Sequence, residues 1–185
     1  MNEERTVRIS KYLSKHLRHQ PERLGLELGP GGWVEVADLL AACRARGKMI
    51  SQEELADVVA SNSKQRFSFD GTGTLIRANQ GHSVEVDLQL QPRTPPHLLY
   101  HGTGHRSVEM ILQDGLLKMS RHHVHLSTDI PTAVAVGARH GRPVIFTVDA
   151  LAMQHAGHLF YCSSNGVWLV EHVPPQYLRQ IDRRI

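Results

Sequence analysis

Leu90-Gln91-Pro92-Arg93-Thr94-Pro95-Pro96-His97 holds three prolines in five positions and carries no periodic apolar pattern. Proline fixes φ and removes a backbone donor, so the stretch predicts a stiff, extended connector between two folding units. The units are then residues 1–90 and 98–185, with 91–97 as the linker. Neither unit shows an internal repeat or a low-complexity tract.

Upstream of the prolines, Ile9, Tyr12, Leu13, His16 and Leu17 recur at helical spacing after a Thr6 or Ser10 cap, until Pro21 stops the pattern. Leu24, Leu26 and Leu28 alternate before the turn residues Gly29-Pro30-Gly31-Gly32, and Val36, Leu39, Leu40 and Cys43 predict a second helix ending near Gly47. Ser51 and Glu54 form a capping box for a third helix, whose stripe of Leu55, Val58 and Val59 runs to about Asn62. Arg66-Phe67-Ser68-Phe69 and Leu75-Ile76-Arg77 flank Asp70-Gly71-Thr72-Gly73, the pattern of a β-hairpin. Three helices and a hairpin describe a winged-helix-like lobe, a shape that reaches nucleic acid only by analogy.

Downstream, Leu98–Thr103 reads as a strand running into a glycine turn, followed by a helix on Val108, Ile111 and Leu112 that Gly115 closes. Thr128 or Asp129 caps another helix with a small-residue face at Ala133, Val136 and Gly137. Pro143–Val148 is a nearly continuous apolar strand, Asn165-Gly166 marks a hairpin, and Tyr177–Ile181 is a last strand. The fold class is therefore α+β. Between the two helices lies Met119-Ser120-Arg121-His122-His123-Val124-His125-Leu126-Ser127. With a period of two, Arg121, His123, His125 and Ser127 share one face of a strand, and that face would suit an anion. A solvated edge strand shows the same alternation.

The 185 residues are 41% hydrophobic, with 21 Lys and Arg against 18 Asp and Glu and a further 13 His. That composition supports a packed core and leans toward phosphate-bearing partners. Cys43 and Cys162 stand alone, which argues against a disulfide framework or a thiolate zinc site and favours a reducing cytoplasm. Without a long apolar run or a signal-like N-terminus, no membrane role is expected, and few apolar residues look exposed, which favours a monomer.

Several residue groups could carry chemistry. Arg18 and His19 close the first helix, where they could bracket a ligand or simply complement the helix dipole. Arg66 and its neighbour Lys64 could equally be solvated. Three guanidiniums, Arg18, Arg66 and Arg121, would suit a dianionic phosphate if the fold brought them together, which periodicity cannot show. His101-Gly102-Thr103 offers a close backbone approach and a hydroxyl. His123 and His125 at strand spacing lack an acidic or thiolate partner, so a metal is not expected. Neither a GxGxxG nor a GxxxxGK[ST] loop occurs, so a nucleotide would be held in another way. Glu171 reads as solvated.

These blocks, in order, closely resemble the RNA 2′-phosphotransferase (tRNA 2′-phosphotransferase) family. The resemblance is carried by Ser10–His19, Gly32-Trp33-Val34, Lys64-Gln65-Arg66-Phe67, Tyr100-His101-Gly102-Thr103, Met119–Ser127 and Asn165-Gly166-Val167-Trp168-Leu169. It implies an N-terminal winged-helix-like lobe joined to a C-terminal ADP-ribosyltransferase-like lobe. The implied reaction moves an internal RNA 2′-phosphate, as at a tRNA splice junction, to NAD in two steps. An ADP-ribosylated RNA 2′-phosphate forms first. RNA with a 2′-hydroxyl, nicotinamide and ADP-ribose 1″,2″-cyclic phosphate are the products.

By the same resemblance, the family's catalytic Arg-His-Arg-Arg set falls on Arg18, His19, Arg66 and Arg121. Its NAD-binding positions fall on His101, Gly102, Thr103, His125 and Ser127. Protein-modifying ADP-ribosyltransferases commonly use a late glutamate, where this chain has Val167 near the corresponding hairpin; an anionic phosphate has less need of an activating base. An ADP-ribosyltransferase that caps nucleic-acid ends or modifies protein is the alternative. A non-enzymatic winged-helix binder is weaker, because Gln52, Glu53, Glu54 and Asp57 make the third helix acidic or neutral.

Overall fold

Seventeen residues, Glu3–His19, form helix α1 in the computed structural model, which describes residues 2–61 and 65–181. Asn62 and Lys64, both named above, lie outside the described residues. The helix starts not at Thr6 or Ser10, both of which lie inside it, but where the Asn2 side chain accepts the Arg5 N–H at 2.9 Å; its first turn is acidic and its last basic, as the helix dipole favours. Ile9, Leu13 and Leu17, each four residues apart, form its buried stripe. Pro21 then turns the chain into a 3-10 segment, Pro21–Leu24.

After it, Leu24 and Leu26 are buried but pair with no strand; the ladder begins only beyond the glycine turn, at β1, Trp33–Glu35. Gly31 and Gly32 both take φ of +77°, a conformation that side chains resist, and the Arg77 guanidinium stacks 4.5 Å from the Trp33 ring while donating to the Gly31 carbonyl. Helix α2, Val36–Ala45, and α3, Gln52–Ala60, follow, with the Ser51/Glu54 capping box formed as expected. Strands β2, Phe67–Phe69, and β3, Leu75–Ala78, complete an antiparallel sheet of order β1-β3-β2. Leu13, Leu17, Leu39, Leu55 and Ile76 make its fully buried core.

A second core belongs to the other unit; the two units are Met1–Leu90 and Gln91–Ile185. Strand β4, Leu98–Gly104, leads to α4, Val108–Asp114, then β5, Leu116–Leu117, and β6, Val124–Leu126. Helix α5, Ile130–Gly137, is capped by the Asp129 side chain, which accepts the Thr132 N–H at 2.7 Å. Next come β7, Pro143–Asp149, α6, Ala150–His155, and the hairpin strands β8, Phe160–Cys162, and β9, Trp168–Val170. Two last strands are β10, His172–Val173, and β11, Leu178–Ile181.

The sheets are β11-β7-β4, β6-β9-β8 and the pair β10-β5, all antiparallel. The protein is thus mixed α and β, built on small antiparallel sheets. Tyr100 and Ser127 exchange two backbone hydrogen bonds of 2.8 Å, which tie β4 to the residue just past β6. The proline-rich segment is bonded to the second unit, since the Arg93 N–H donates to the Phe160 carbonyl at 2.8 Å. No helix among the described residues is long and apolar enough to cross a membrane.

Within the first unit, the Arg5 guanidinium grips Glu54 and ties α1 to the cap of α3. That hydrogen bond, with the Ser51 N–H, holds the Glu54 carboxyl down to about 2. An unfolded glutamate titrates near about 4.3, so the contribution is complete above that pH and is lost as pH falls toward 2. Glu54→Gln is expected to lower the urea midpoint at pH 7, with the gap to the parent protein closing between pH 4 and 2; a constant gap over that range would refute the assignment.

Candidate functional site

In the first unit, the end of α1 meets the chain that leaves β3. The Ser83 N–H donates to the Arg18 carbonyl at 2.9 Å, and the Ser83 hydroxyl lies 2.8 Å from His19 Nδ1. Arg18 Nη2 donates to the Arg66 carbonyl at 3.4 Å, and the Asn79 N–H reaches the same oxygen at 2.9 Å. Asn79 also donates from Nδ2 to the Gln65 carbonyl at 2.6 Å, holding the entry to β2. Gly81, with φ of +87°, lets the Arg18 side chain pass close by: a β-carbon there would stand 3.7 Å from Arg18 Nη1.

The end of α1 is therefore joined to the Arg66 backbone, a contact that helical periodicity alone left open. The groups held there are the Arg18 guanidinium and the His19 imidazole with a hydroxyl beside it, donors that suit phosphate oxygens. Asn79, Gly81 and Ser83 were missed as their supports. Their signal was there in the polar, glycine-containing run after the predicted hairpin.

In the second unit, a cavity of about 400 Å³ opens beside β4. His101, Gly102 and Thr103 line it from β4, and His125 lines it from β6. Ser127 is not among its lining residues; its backbone is engaged with Tyr100. Gly102 has a second reason to be glycine, because a β-carbon there would collide with the Ala133 carbonyl of α5. Met110 and Asp114, four residues apart on one face of α4, also line the cavity; that spacing was the signal that would have found them.

Arg121 reaches the cavity from a turn, a correction to the strand expected over 119–127. The ladder holds only Val124–Leu126, where buried Val124 and Leu126 flank half-buried His125. Before it, Met119 takes φ of +55° and the Arg121 N–H donates to the Lys118 carbonyl at 3.1 Å, a left-handed turn that no strand can continue through. The turn still presents Arg121 and His123 on the cavity side.

Two contacts settle tautomers. The His125 carbonyl lies 3.1 Å from His101 Nδ1, so neutral His101 carries its proton on Nδ1 and leaves Nε2 as an acceptor. Arg121 Nη1 donates to His125 Nδ1 at 3.3 Å, which puts the His125 proton on Nε2. Burial pushes the His101 pKa below its ordinary 6.5; the His125 carbonyl opposes this, while the nearby charges of Arg121 and His140 add to it. Among the described residues, no group of three or more His, Cys, Asp or Glu side chains could hold a metal ion.

Residues 4–172 match the model of the family described as RNA 2′-phosphotransferase, Tpt1 / KptA family. A protein of Trichormus variabilis named "Probable RNA 2′-phosphotransferase" is 66% identical over 182 residues, covering 98% of this chain and 100% of that protein. One of the same name in Nostoc punctiforme is 64% identical over 181 residues, covering 98% and 100%. A third, in Herpetosiphon aurantiacus, is 60% identical over 178 residues, covering 96% and 98%.

His101 is expected to be neutral at pH 7. Its side-chain NMR titration should have a midpoint below 6.5, and Arg121→Ala should move that midpoint upward by removing one of the two adverse charges. A midpoint above 6.5 in the unsubstituted protein would contradict this account.

Proposed function

Because this chain belongs to the RNA 2′-phosphotransferase, Tpt1 / KptA family, we propose that it removes an internal RNA 2′-phosphate by transferring it to NAD. The products are RNA with a 2′-hydroxyl, ADP-ribose 1″,2″-cyclic phosphate and nicotinamide. The observation that carries this reading is the end of α1, where Arg18 donates to the Arg66 carbonyl and His19 meets the Ser83 hydroxyl, with Asn79 on the same Arg66 oxygen. In this proposal the first unit is a winged-helix-like lobe that engages RNA and the second an ADP-ribosyltransferase-like lobe that engages NAD. The enzyme works as a cytoplasmic monomer without a metal, on a phosphate of the kind left at a tRNA splice junction.

By the family resemblance, Arg18 and Arg66 take the role of holding phosphate oxygens, paired donors against a dianion, and Arg121 that of meeting the charge that develops during transfer. His19, beside the Ser83 hydroxyl, is placed to move a proton. The Ser83 contact with the Arg18 carbonyl fixes both side chains to one turn of backbone.

The reading assigns NAD to the second unit's cavity. Met110, Ile111 and Val136 give it apolar wall for a flat ring, and Lys118 and Arg121 give it positive charge for a diphosphate. His101, Gly102, Thr103 and His125 would hold NAD there, with Ser127 keeping β4 and β6 in register. NAD supplies a ribose carbon with a good leaving group, and a ribose hydroxyl that takes up the phosphate. His101, neutral and tethered at Nδ1, offers that ligand a hydrogen-bond acceptor without adding charge.

Incubation with NAD and an oligonucleotide bearing an internal 2′-phosphate is expected to yield the cyclic-phosphate product together with nicotinamide. Stable ADP-ribosylated RNA as the sole product would instead favour the end-capping alternative. His19→Ala and Arg121→Ala should each lower cyclic-phosphate formation at least about a hundredfold at an unchanged melting temperature. Nicotinamide release should persist more strongly than cyclic-phosphate formation in at least one of them. Full turnover by both variants would overturn the roles of His19 and Arg121.

A further inference from the structure

A second cavity of the same unit, about 370 Å³, is lined by Lys118, His122 and His123, which flank Arg121 in the chain. Lys118 and His123 line both cavities, so the two are neighbours. The second is walled by rings. His123 packs 5.5 Å from Tyr161 and 6.4 Å from His122, and His158 packs edge-on 5.3 Å from His172 and 5.9 Å from Tyr177.

Its one acidic liner, Glu171, is spoken for by Lys118 at 3.3 Å, with both side chains open to solvent. Burial lowers the His123 pKa, helped by the charges of His122 and Lys118 and opposed by Glu171, so this ring is an uncharged aromatic face at neutral pH.

We propose that this histidine-lined cavity binds one unpaired nucleotide of the RNA substrate, flanking the dinucleotide that carries the internal 2′-phosphate. The inference rests on the phosphotransferase reading and deepens it. Unpaired bases stack on imidazole and phenol rings whatever their sequence. The cavity's size suits one base, and its position along the turn from Arg121 makes it the next stop for a strand whose phosphate Arg121 engages.

The test compares a 2′-phosphorylated dinucleotide with a 2′-phosphorylated heptamer, using His158→Ala/His172→Ala and His158→Phe/His172→Phe. For the alanine pair, KM for the heptamer should rise about tenfold, the cost of one lost stacking contact, while kcat and the dinucleotide KM stay unchanged. The phenylalanine pair should restore the heptamer KM, because it keeps the rings and removes only the ring nitrogens. An unchanged heptamer KM in the alanine pair would overturn the proposal, and so would an equal loss on both substrates. Anisotropy of a fluorescent heptamer without NAD reads the cavity independently of turnover: an inactive parent protein that still binds more tightly than the alanine pair would fault the phosphotransferase reading, and the nucleotide site would stand.

Discussion

The close approach of helix α5 to strand β4 is the constraint on which the second unit depends. At Gly102 the helix carbonyl of Ala133 comes so near that only hydrogen fits between, and Gly104 meets the His140 carbonyl in the same way. Backbone packed on backbone leaves β4 no freedom to shift or tilt. Its register with β7 runs unbroken through all seven of its residues, from Leu98 opposite Asp149 to Gly104 opposite Pro143. His101 and Thr103 therefore reach the cavity from a strand that is fixed from one face by a helix and along one edge by a ladder. The Tyr100–Ser127 bridge adds β6, which brings the His125 carbonyl to His101 and sets its tautomer.

The first unit builds its cluster by a different device. Helix α1 ends with Arg18 and His19 directed away from the buried stripe, and the segment after β3 returns to satisfy the helix's last carbonyls and pin its side chains. Ser83 does both jobs at once. A helix C-terminus needs donor partners for its last carbonyls in any protein, and here the same partners orient the groups proposed to hold phosphate.

Much of this was legible in the residues themselves. The stripe of α1, the Ser51/Glu54 box and the Asp129 cap are local signals, and the structure forms each of them. Apolar β7 and the Asn165-Gly166 hairpin read correctly for the same reason. Strands β1, β5 and β10 were not legible, because two or three residues become a strand only through the partner they find. The turn before β6 was misread, since alternating side chains on paper say nothing of a left-handed Met119. The contact of Arg18 with the Arg66 carbonyl spans 48 positions, and only the fold supplies it. Family resemblance located the same residues by their identities, without giving the contacts that hold them.

The proline-rich segment has a consequence of its own at the open edge of the β6-β9-β8 sheet. Pro92 forms a single bridge with Tyr161 and Arg93 donates to Phe160, which occupies the free side of β8. Pro95 and Pro96 then offer no N–H, so the pairing stops and cannot spread to another chain. Bare edge strands invite addition of foreign strands, and proline is among the means by which proteins deny it. Residues 92–96 thus cover the free side of β8, and a second unit cut at residue 98 would present that edge bare.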